Sequence, residues 1–262
     1  MDQPIFIEKS GRVCSISLNR PKLSNCLDLG MLSGLATAFR TLNEDEEVRV
    51  VVLRGAGDAG FCAGLNLQLV ADHAKTPGDR AGAEPFLEVL EAIETYRFPV
   101  IAMIRGFAIG AGCEIAAACD LRVASEQAKL AMPPARLGLV YSLGGHRRFV
   151  ELLGVANAKE LFLTAAQFGA PRAKEMGLVN RVVPEDRLQE ETYALAATIA
   201  DNAPLGLAGA KAMINRCAGT QAPSQQEKAA LNQLMWESMR SQDAEEAHNA
   251  FREKRKPQFV GR

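Results

Sequence analysis

Apolar residues follow two kinds of spacing along the first 185 residues or so of the chain. Short β-branched runs, typical of buried strands, occur at 13–18, 48–53 and 99–104. Between them, apolar residues recur every three or four positions, which predicts amphipathic helices over 32–42 and 86–96. Strand and helix therefore alternate, and this alternation predicts an α/β fold.

The remaining elements follow from the same patterns. A strand at 5–8, separated from the strand at 13–18 by Ser10 and Gly11, predicts a hairpin. The segment at 61–67 leads into a helix, and 74–84 is the most loop-like stretch. Further strands are predicted at 121–124, 128–131 and 179–183. Further helices are predicted at 111–119, 143–153, 156–164, 171–176, 188–202, 205–217, 225–239 and 242–254.

The helical tail carries more large apolar residues than one small region can bury. They are Leu231, Leu234, Met235, Trp236 and Met239. We predict that they form an oligomer interface; the alternative is that they fold back on the body of the same chain. The predicted organisation is a core over residues 1–187 and a C-terminal helical oligomerisation region over 188–262.

Composition excludes several classes of function. The 262 residues are 48% hydrophobic and 23% charged, with a formal net charge of −1, which gives no reason to expect nucleic acid or an anionic membrane as partner. The six cysteines are scattered without a CxxC pair, which indicates free thiols of a reducing compartment. With no apolar run of about 20 residues and no targeting pattern at the N-terminus, we expect a cytoplasmic globular protein.

Candidate chemistry is concentrated between residues 99 and 120. A buried strand ends before Gly106, and small apolar residues then predict a core helix from about Ala111. The start of a helix carries free N–H groups and the positive end of the helix dipole, where a developing oxyanion is stabilised. Glu114 follows one turn later, among alanines, and burial there should raise its pKa into the range of a usable acid or base. The alternative is a structural glutamate with a partner elsewhere.

Four motifs, in order, resemble the crotonase (enoyl-CoA hydratase/isomerase) superfamily over nearly the whole chain. They are the segments 18–22 (LNRPK), 61–67 (FCAGLNL), 106–120 (GFAIGAGCEIAAACD) and 251–259 (FREKRKPQF). The resemblance implies a spiral of ββα units that acts on acyl-coenzyme A thioesters as a homotrimer or a dimer of trimers. It implies no permanently bound cofactor, because coenzyme A enters as part of the substrate, and the sequence has no metal-ligand constellation.

The resemblance also assigns roles to residues. The thioester oxygen of the family lies between two backbone N–H groups, and the matching positions here are Ala63 and Ala111. We expect both N–H groups to converge on one point, about 3 Å from each, with roughly 3 kcal/mol of transition-state stabilisation per donor. Positions matched to coenzyme A binding are Lys22, Cys62, Ala63, Leu65, Phe251 and Lys254. The alternative for the basic segment 252–256 is a solvated helix end.

One departure from the family concerns its second glutamate. Hydratases of the family carry Pro-Glu where this chain has Pro133-Pro134, and proline can neither donate nor accept a proton. The usual Pro-Gly a little further on is replaced by Tyr141-Ser142. Tyr141 is therefore the candidate substitute, because a tyrosine in a similar context occurs in methylmalonyl-CoA decarboxylases; the alternative is an aromatic that only lines the pocket.

Three hypotheses follow. The first is a hydratase-like lyase or isomerase that uses Glu114 and an oxyanion-stabilised enolate. The second is a methylmalonyl-CoA-type decarboxylase in which Tyr141 places the substrate carboxylate. The third is a low-activity coenzyme A-binding homologue. Among the three histidines, His146 is expected on a helix face, and His73 and His248 at the surface.

Overall fold

The computed structural model describes residues 3–58, 60–66, 84–218 and 224–262. The predicted helix beyond Leu67, His73 and nearly all of the predicted loop at 74–84 lie outside these residues.

Six strands form the main sheet. They are β1 (Ile5–Ser10), β2 (Val13–Leu18), β3 (Val50–Gly55), β4 (Val100–Ile104), β6 (Leu121–Ser125) and β9 (Arg181–Val183). Their spatial order is β1-β2-β3-β4-β6-β9, with an antiparallel hairpin at β1–β2 and parallel pairing from β2 to β9. The hairpin register pairs Ser10 with Val13 across the predicted turn. Parallel strands end at one edge of the sheet, so the segments that follow β2, β3 and β4 meet there.

A second, smaller sheet lies beside that edge. It contains β5 (Phe107–Ile109), β7 (Lys129–Ala131) and β8 (Gln167–Gly169), in the order β5-β7-β8. The predictions included β7, as part of the strand predicted at 128–131, but neither β5 nor β8, because these two short strands adjoin or end in glycines, which mark turns in a sequence.

Nine α-helices occur in the described part of the chain. They are α1 (Leu29–Asn43), α2 (Glu84–Thr95), α3 (Ala111–Ala118), α4 (Leu143–Thr164), α5 (Ala170–Glu175), α6 (Leu188–Ala200), α7 (Pro204–Ala218), α8 (Gln225–Met239) and α9 (Gln242–Glu253). Helix α4 contains a non-helical residue, Gly154, with φ +71°. This break lies between the two helices predicted at 143–153 and 156–164.

The main sheet is covered on both faces, as side-chain alternation along β3 shows. Val51 and Leu53 belong to the large core that contains residues of α1, α2 and α3, whereas Val50 and Val52 pack with Leu188 of α6 on the opposite face. Burial on both faces is why β3 is apolar nearly throughout. Helix α6, at the start of the predicted oligomerisation region, is thus part of this chain's own core.

The later helices differ in how they are held. Helix α7 is anchored by the buried Lys211, whose Nζ donates to Asp120 Oδ2 at 2.8 Å and to the Phe98 carbonyl at 3.0 Å. Helix α8 instead presents Trp236 and Met239 to solvent, 49% and 62% exposed in the single chain. The apolar face of α8 is therefore not covered by described residues of its own chain, and the oligomer interface stays a prediction.

No helix in the described ranges is long and apolar enough to cross a membrane. All six cysteines are free; four are buried, Cys26 is half-buried and Cys217 is exposed.

Candidate active site

A loop and a helix start lie side by side at the carboxyl edge of the main sheet. The loop after β3 runs along β5, with the Cys62 N–H donating to the Phe107 carbonyl at 3.1 Å and the Ile109 N–H donating to the Cys62 carbonyl at 3.0 Å. Helix α3 begins two residues after Ile109. The Gly112 backbone packs against Cys62, where an added Cβ would lie 2.5 Å from the Cys62 carbonyl oxygen. The two segments matched to the family's oxyanion loops are thus in direct contact.

The Ala63 N–H does not point to this junction. It donates to the Ser24 carbonyl oxygen at 3.0 Å. Ser24 has φ +55°, and the next residue, the fully buried Asn25, donates from its amide nitrogen to the Ala56 and Gly60 carbonyls at 3.0 and 2.8 Å. These contacts fix the loop so that the Ala63 N–H is already used. The prediction that Ala63 supplies the first donor is therefore wrong.

The Leu65 N–H, unlike the Ala63 N–H, points away from the segment that contains Ser24 and Leu27. Leu27 donates to the Gly64 carbonyl at 2.8 Å, and Asn66 donates to the Leu27 carbonyl at 2.8 Å. In such a parallel bridge the N–H of the middle residue, Leu65, points away from Leu27. Among the described residues, neither the Leu65 N–H nor the Ala111 N–H has a backbone acceptor.

Gly64 brings these two N–H groups near each other. Its φ is +101°, and a Cβ built on it would lie 2.9 Å from the Ile109 carbonyl oxygen and 3.5 Å from the Ala111 nitrogen. Only glycine combines this conformation with so close an approach. The loop backbone next to Leu65 therefore lies against the first residue of α3.

Glu114 is buried on the first turn of α3, with 3% of its surface exposed. Its Oε1 accepts a hydrogen bond from Arg148 Nη1 of α4 at 2.9 Å. A Cβ on Gly145 would lie 2.7 Å from Glu114 Oε1, so a larger residue there would displace the carboxylate. Burial raises the pKa of Glu114 above its ordinary value; the charge of Arg148 offsets part of this rise, the nearby Glu94 adds to it, and His146 lowers it to a lesser extent. The predicted direction of this shift is confirmed.

Arg148 and Glu94 complete this cluster, and the sequence reasoning missed both. Arg148 donates from Nε to Glu94 Oε1 of α2 at 2.8 Å, and its Nη2 lies 2.7 Å from the same oxygen. The exposed fraction of the side chain is 4% for Glu114, 14% for Arg148 and 43% for Glu94. One arginine thus joins a buried carboxylate to a half-exposed one. A buried glutamate predicts that some cation lies near it, but not which one.

Tyr141 lies at the mouth of the same site. Its hydroxyl oxygen would be 3.2 Å from a Cβ on Gly110, the residue before Ala111. Its pKa is raised, mainly by burial and secondly by the charge of Glu114. His146 stacks on Phe162 at 4.6 Å between ring centroids, and its Nδ1 lies 3.0 Å from the Ser142 carbonyl oxygen.

Pro134 is buried and begins a short 3-10 helix, Pro134–Leu137. The following segment leads to Ser142, whose hydroxyl caps α4 by accepting from the Gly145 N–H at 3.1 Å. The position matched to the second glutamate of the family is therefore part of the structured wall, without a titratable group.

The residues matched to coenzyme A binding fall into two places. Lys22 is exposed and follows β2, and Leu65 is half-buried beside the loop. The Cys62 thiol is fully buried, accepts from the Gly64 N–H at 3.4 Å, and has a pKa raised by burial to about 12, so only the backbone of Cys62 can face a ligand. The side chain of Phe251 lies outside the part of the chain that the structure describes.

Lys254 lies toward the amino end of the parallel strands, opposite the edge where the loop after β3 lies. It is exposed, and two residues later Lys256 pairs with Asp201 at the end of α6. The tail that follows accepts a hydrogen bond at the Phe259 carbonyl from Arg49, which directly precedes β3, at 2.8 Å. A six-residue strand spans about 20 Å, so the C-terminal signature and the loop after β3 lie at opposite ends of β3 within one chain.

In the described ranges, no group of three or more histidine, cysteine, aspartate or glutamate side chains could hold a metal ion. The site is thus defined by backbone N–H groups at a helix start, one buried carboxylate and an adjoining phenol. Such an arrangement is suited to stabilising an oxyanion and moving a proton.

Comparison with known proteins shows the family to which the chain belongs. The family model described as Enoyl-CoA hydratase/isomerase matches residues 8–262. A short-chain-enoyl-CoA hydratase of Clostridium acetobutylicum is 35% identical over 252 residues, covering 96% of this chain and 95% of the relative. A carnitinyl-CoA dehydratase of Salmonella typhimurium is 32% identical over 266 residues, covering 100% of both.

Solved structures give the same result. An enoyl-CoA hydratase/carnithine racemase from Magnetospirillum magneticum superposes with a TM-score of 0.93 at 32% identity, covering 100% of this chain and 97% of the other. An enoyl-CoA hydratase from Bacillus anthracis superposes with a TM-score of 0.90 at 35% identity, covering 99% of this chain and 100% of the other. The chain belongs to the enoyl-CoA hydratase/isomerase family, the crotonase superfamily, and its mixed α/β architecture is the crotonase fold.

Proposed function

We propose that the protein is an enoyl-CoA hydratase-like lyase that adds water reversibly to the double bond of a 2-enoyl-CoA thioester. The observation that carries the proposal is the pairing on α3 of the Ala111 N–H with Glu114 one turn later. Residues three apart on a helix face neighbouring surface, so a thioester oxygen at Ala111 would place the reacting carbons near Glu114. The names of the relatives support the same reaction class.

The proposed oxyanion hole consists of the Leu65 and Ala111 N–H groups. Addition to the double bond moves electrons onto the thioester oxygen, and two fixed donors stabilise that charge more than they stabilise the starting carbonyl. The hydrogen bond from Ala63 to Ser24 supports the choice of Leu65, because it leaves Ala63 without a donor to offer.

Glu114 is the proposed proton-transfer group. As a carboxylate it takes one proton from water while the water oxygen bonds to C3, and the electrons of the double bond move onto the thioester oxygen. As a carboxylic acid it then returns that proton to C2, the thioester carbonyl re-forms, and water has been added overall. A single group acts in both directions because Pro134 has no proton to give, so we expect slow turnover relative to a two-glutamate site.

The proposed contacts to coenzyme A divide by location. Lys22 lies at the edge of the sheet where the hole forms and is assigned to the phosphates. Phe251 and Lys254 belong to the C-terminal signature, toward the opposite edge, so their contribution requires a second subunit of the proposed homotrimer or dimer of trimers.

The test is an assay of short enoyl-CoA and malonyl-type CoA thioesters, with mass spectrometry detecting the gain of water or the loss of carbon dioxide. Glu114→Gln should lower hydration by about 10²- to 10⁴-fold, the usual contribution of a general acid–base group. Glu126→Gln, which removes an exposed carboxylate, is the control and should leave the rate unchanged. If Glu114→Gln keeps every activity that the wild type shows, Glu114 is structural and the proposal fails.

A methylmalonyl-CoA-type decarboxylase is the second candidate, because the Tyr141 hydroxyl lies beside Gly110 at the start of α3. In that reaction the bond from C2 to the carboxylate breaks, carbon dioxide leaves, and its electron pair forms the enolate held in the hole. Loss of carbon dioxide that falls in Tyr141→Phe but persists in Glu114→Gln would favour this candidate over the hydratase. A wild type with neither activity on any thioester would favour the low-activity coenzyme A-binding homologue.

A further inference from the structure

Three helices contribute to a line of alternating charges that ends at the candidate active site. Glu114 of α3, Arg148 of α4 and Glu94 of α2 are joined by contacts of 2.7 to 2.9 Å. Arg148 uses all three of its guanidinium nitrogens, one on Glu114 and two on Glu94. The two carboxylates therefore compete for one cation.

The charged and titratable groups around Glu114 come from the two helices that pack on α3 and from the segment before α4; strand β5, which also packs on α3, contributes none. Helix α2 contributes Glu94, helix α4 contributes Arg148 and His146, and the segment before α4 contributes Tyr141. On α3 itself, Cys113 adjoins Glu114, and burial keeps its thiol protonated by raising its pKa to about 12. The only full positive charge bonded to Glu114, among the residues described, is Arg148.

We infer that Arg148 and Glu94 are positioning residues that set the orientation and charge state of Glu114 for proton transfer. This inference rests on the proposed function. Arg148 holds Oε1, which leaves Oε2 to face the reacting carbons. Glu94 binds the same guanidinium through two contacts. Arg148 therefore stabilises the Glu114 carboxylate without fully neutralising its charge.

The geometry favours competition between the two carboxylates for Arg148 over a simple structural ion pair. The exposed fraction of the side chain is 4% for Glu114, 14% for Arg148 and 43% for Glu94, so access to solvent increases toward the outer end of the line. In a buried pair, removing one partner leaves an uncompensated charge that strongly favours the neutral form of the other. Glu94 therefore acts on the active site from near the surface, through Arg148.

The two positioning residues should move the pH profile in opposite directions. Hydration needs the Glu114 carboxylate, so kcat/KM falls on the acid side as Glu114 takes up a proton. Arg148→Gln removes the stabilising charge, raises the pKa of Glu114 and moves this acid limb to higher pH. Glu94→Gln removes a repelling charge and leaves Arg148 with Glu114 as its only carboxylate partner in the cluster. The pKa of Glu114 then falls, and the acid limb moves to lower pH.

The experiment combines the pH dependence of kcat/KM for hydration with a direct titration of Glu114. The direct readout is the carboxyl signal of ¹³C-labelled glutamate, assigned by its loss in Glu114→Gln, or the matching carboxylate band in difference infrared spectra. At the acid end of the profile, Arg148→Gln should lose about tenfold or more in kcat/KM, since an opposite charge at this distance generally shifts a pKa by one unit or more.

Arg148→Lys keeps the charge and should restore most of the acid limb. Arg147→Gln is the matched control, because Arg147 pairs with Glu151 on the exposed side of α4 at 3.2 Å, and its profile should equal that of the wild type. Glu94→Gln changes a half-exposed residue, so this arm remains decisive if Arg148→Gln fails to fold.

Each outcome separates the two proposals. Opposite shifts in the Glu114 titration together with opposite shifts of the acid limb support the inference. Titration shifts without any hydration by the wild type would overturn the proposed function and leave the electrostatic assignment standing. Hydration with a Glu114 titration that Glu94→Gln leaves unmoved would overturn the inference alone.

Discussion

At the scale of single residues, Pro134 stands at the position matched from the sequence to the second glutamate of the family, and it has no titratable group. Pro134 is buried at the first position of a short 3-10 helix, where a missing N–H costs little because that group has no partner within the helix. The backbone there can therefore accept another residue type.

We predict that Pro134→Glu gains hydration activity. A second carboxyl group could deliver or remove a proton opposite Glu114, but its burial opposes ionisation, so we expect a gain of about tenfold, below the usual contribution of a general acid–base group, about 10²- to 10⁴-fold. Pro133→Glu, which places the same carboxyl one residue away, is the control for backbone disturbance. Steady-state kinetics on a short enoyl-CoA measures both; an equal change in the two variants would contradict a specific role for position 134.

Some residues of the candidate site could be predicted from the sequence and others could not. Glu114 and the direction of its pKa shift could be predicted, because a carboxylate among alanines has little to offset burial. The sequence predicted the first donor at Ala63, whose N–H is bonded to the Ser24 carbonyl, because N–H directions depend on how the loop docks against Ser24. Arg148 was missed because it is 34 residues from Glu114 in sequence and meets it only through the packing of α4 on α3.

At the scale of elements, the site depends on the contact between one loop and one helix start. Five of the six strands of the main sheet could be predicted because their patterns extend over five or more residues, and the sixth, β9, because it lies within the valine-containing segment 179–183. The small sheet could be predicted only in part, since β5 and β8 are three-residue strands that adjoin or end in glycines, which mark turns in a sequence. Gly64 is the residue through which the loop reaches α3.

We predict that Gly64→Ala lowers both stability and activity. Alanine at φ +101° is strained by about 1–3 kcal/mol, and its Cβ would meet the Ile109 carbonyl oxygen at 2.9 Å, which pushes the loop away from Ala111. Denaturant unfolding and hydration kinetics measure the two effects. Gly30→Ala in α1, where an added Cβ has only one ordinary contact at 3.5 Å, is the control and should be neutral or stabilising by up to about 1 kcal/mol. Unchanged kinetics in Gly64→Ala would contradict the role given to this contact.

At the scale of the whole molecule, the chain has a core closed on both sheet faces and an apolar helix face that the described residues leave uncovered. Helix α6 covers the sheet, and Lys211 holds α7 against it. On α8, the exposed Trp236 and Met239 lie beside Met235, which is 39% exposed. Such a contiguous exposed apolar surface is typical of a helix that packs against another subunit.

We predict that the protein is a trimer, or a dimer of trimers, held together in part by α8. Trp236→Glu should place a charge in the interface and shift the protein toward monomer in equilibrium ultracentrifugation at micromolar concentration. Gln225→Glu, at the exposed start of the same helix, adds the same charge and should leave the assembly intact. A wild type that sediments as a stable monomer would contradict the prediction.

The most direct test of the central claim is a crystal structure of the protein with a substrate-analogue acyl-CoA thioester. The account predicts that the thioester oxygen lies about 3 Å from both the Leu65 and the Ala111 nitrogen atoms, with the Glu114 carboxylate beside C2 and the hydrogen bond from Ala63 to Ser24 intact. A thioester oxygen bound by Ala63, or placed away from the start of α3, would contradict it.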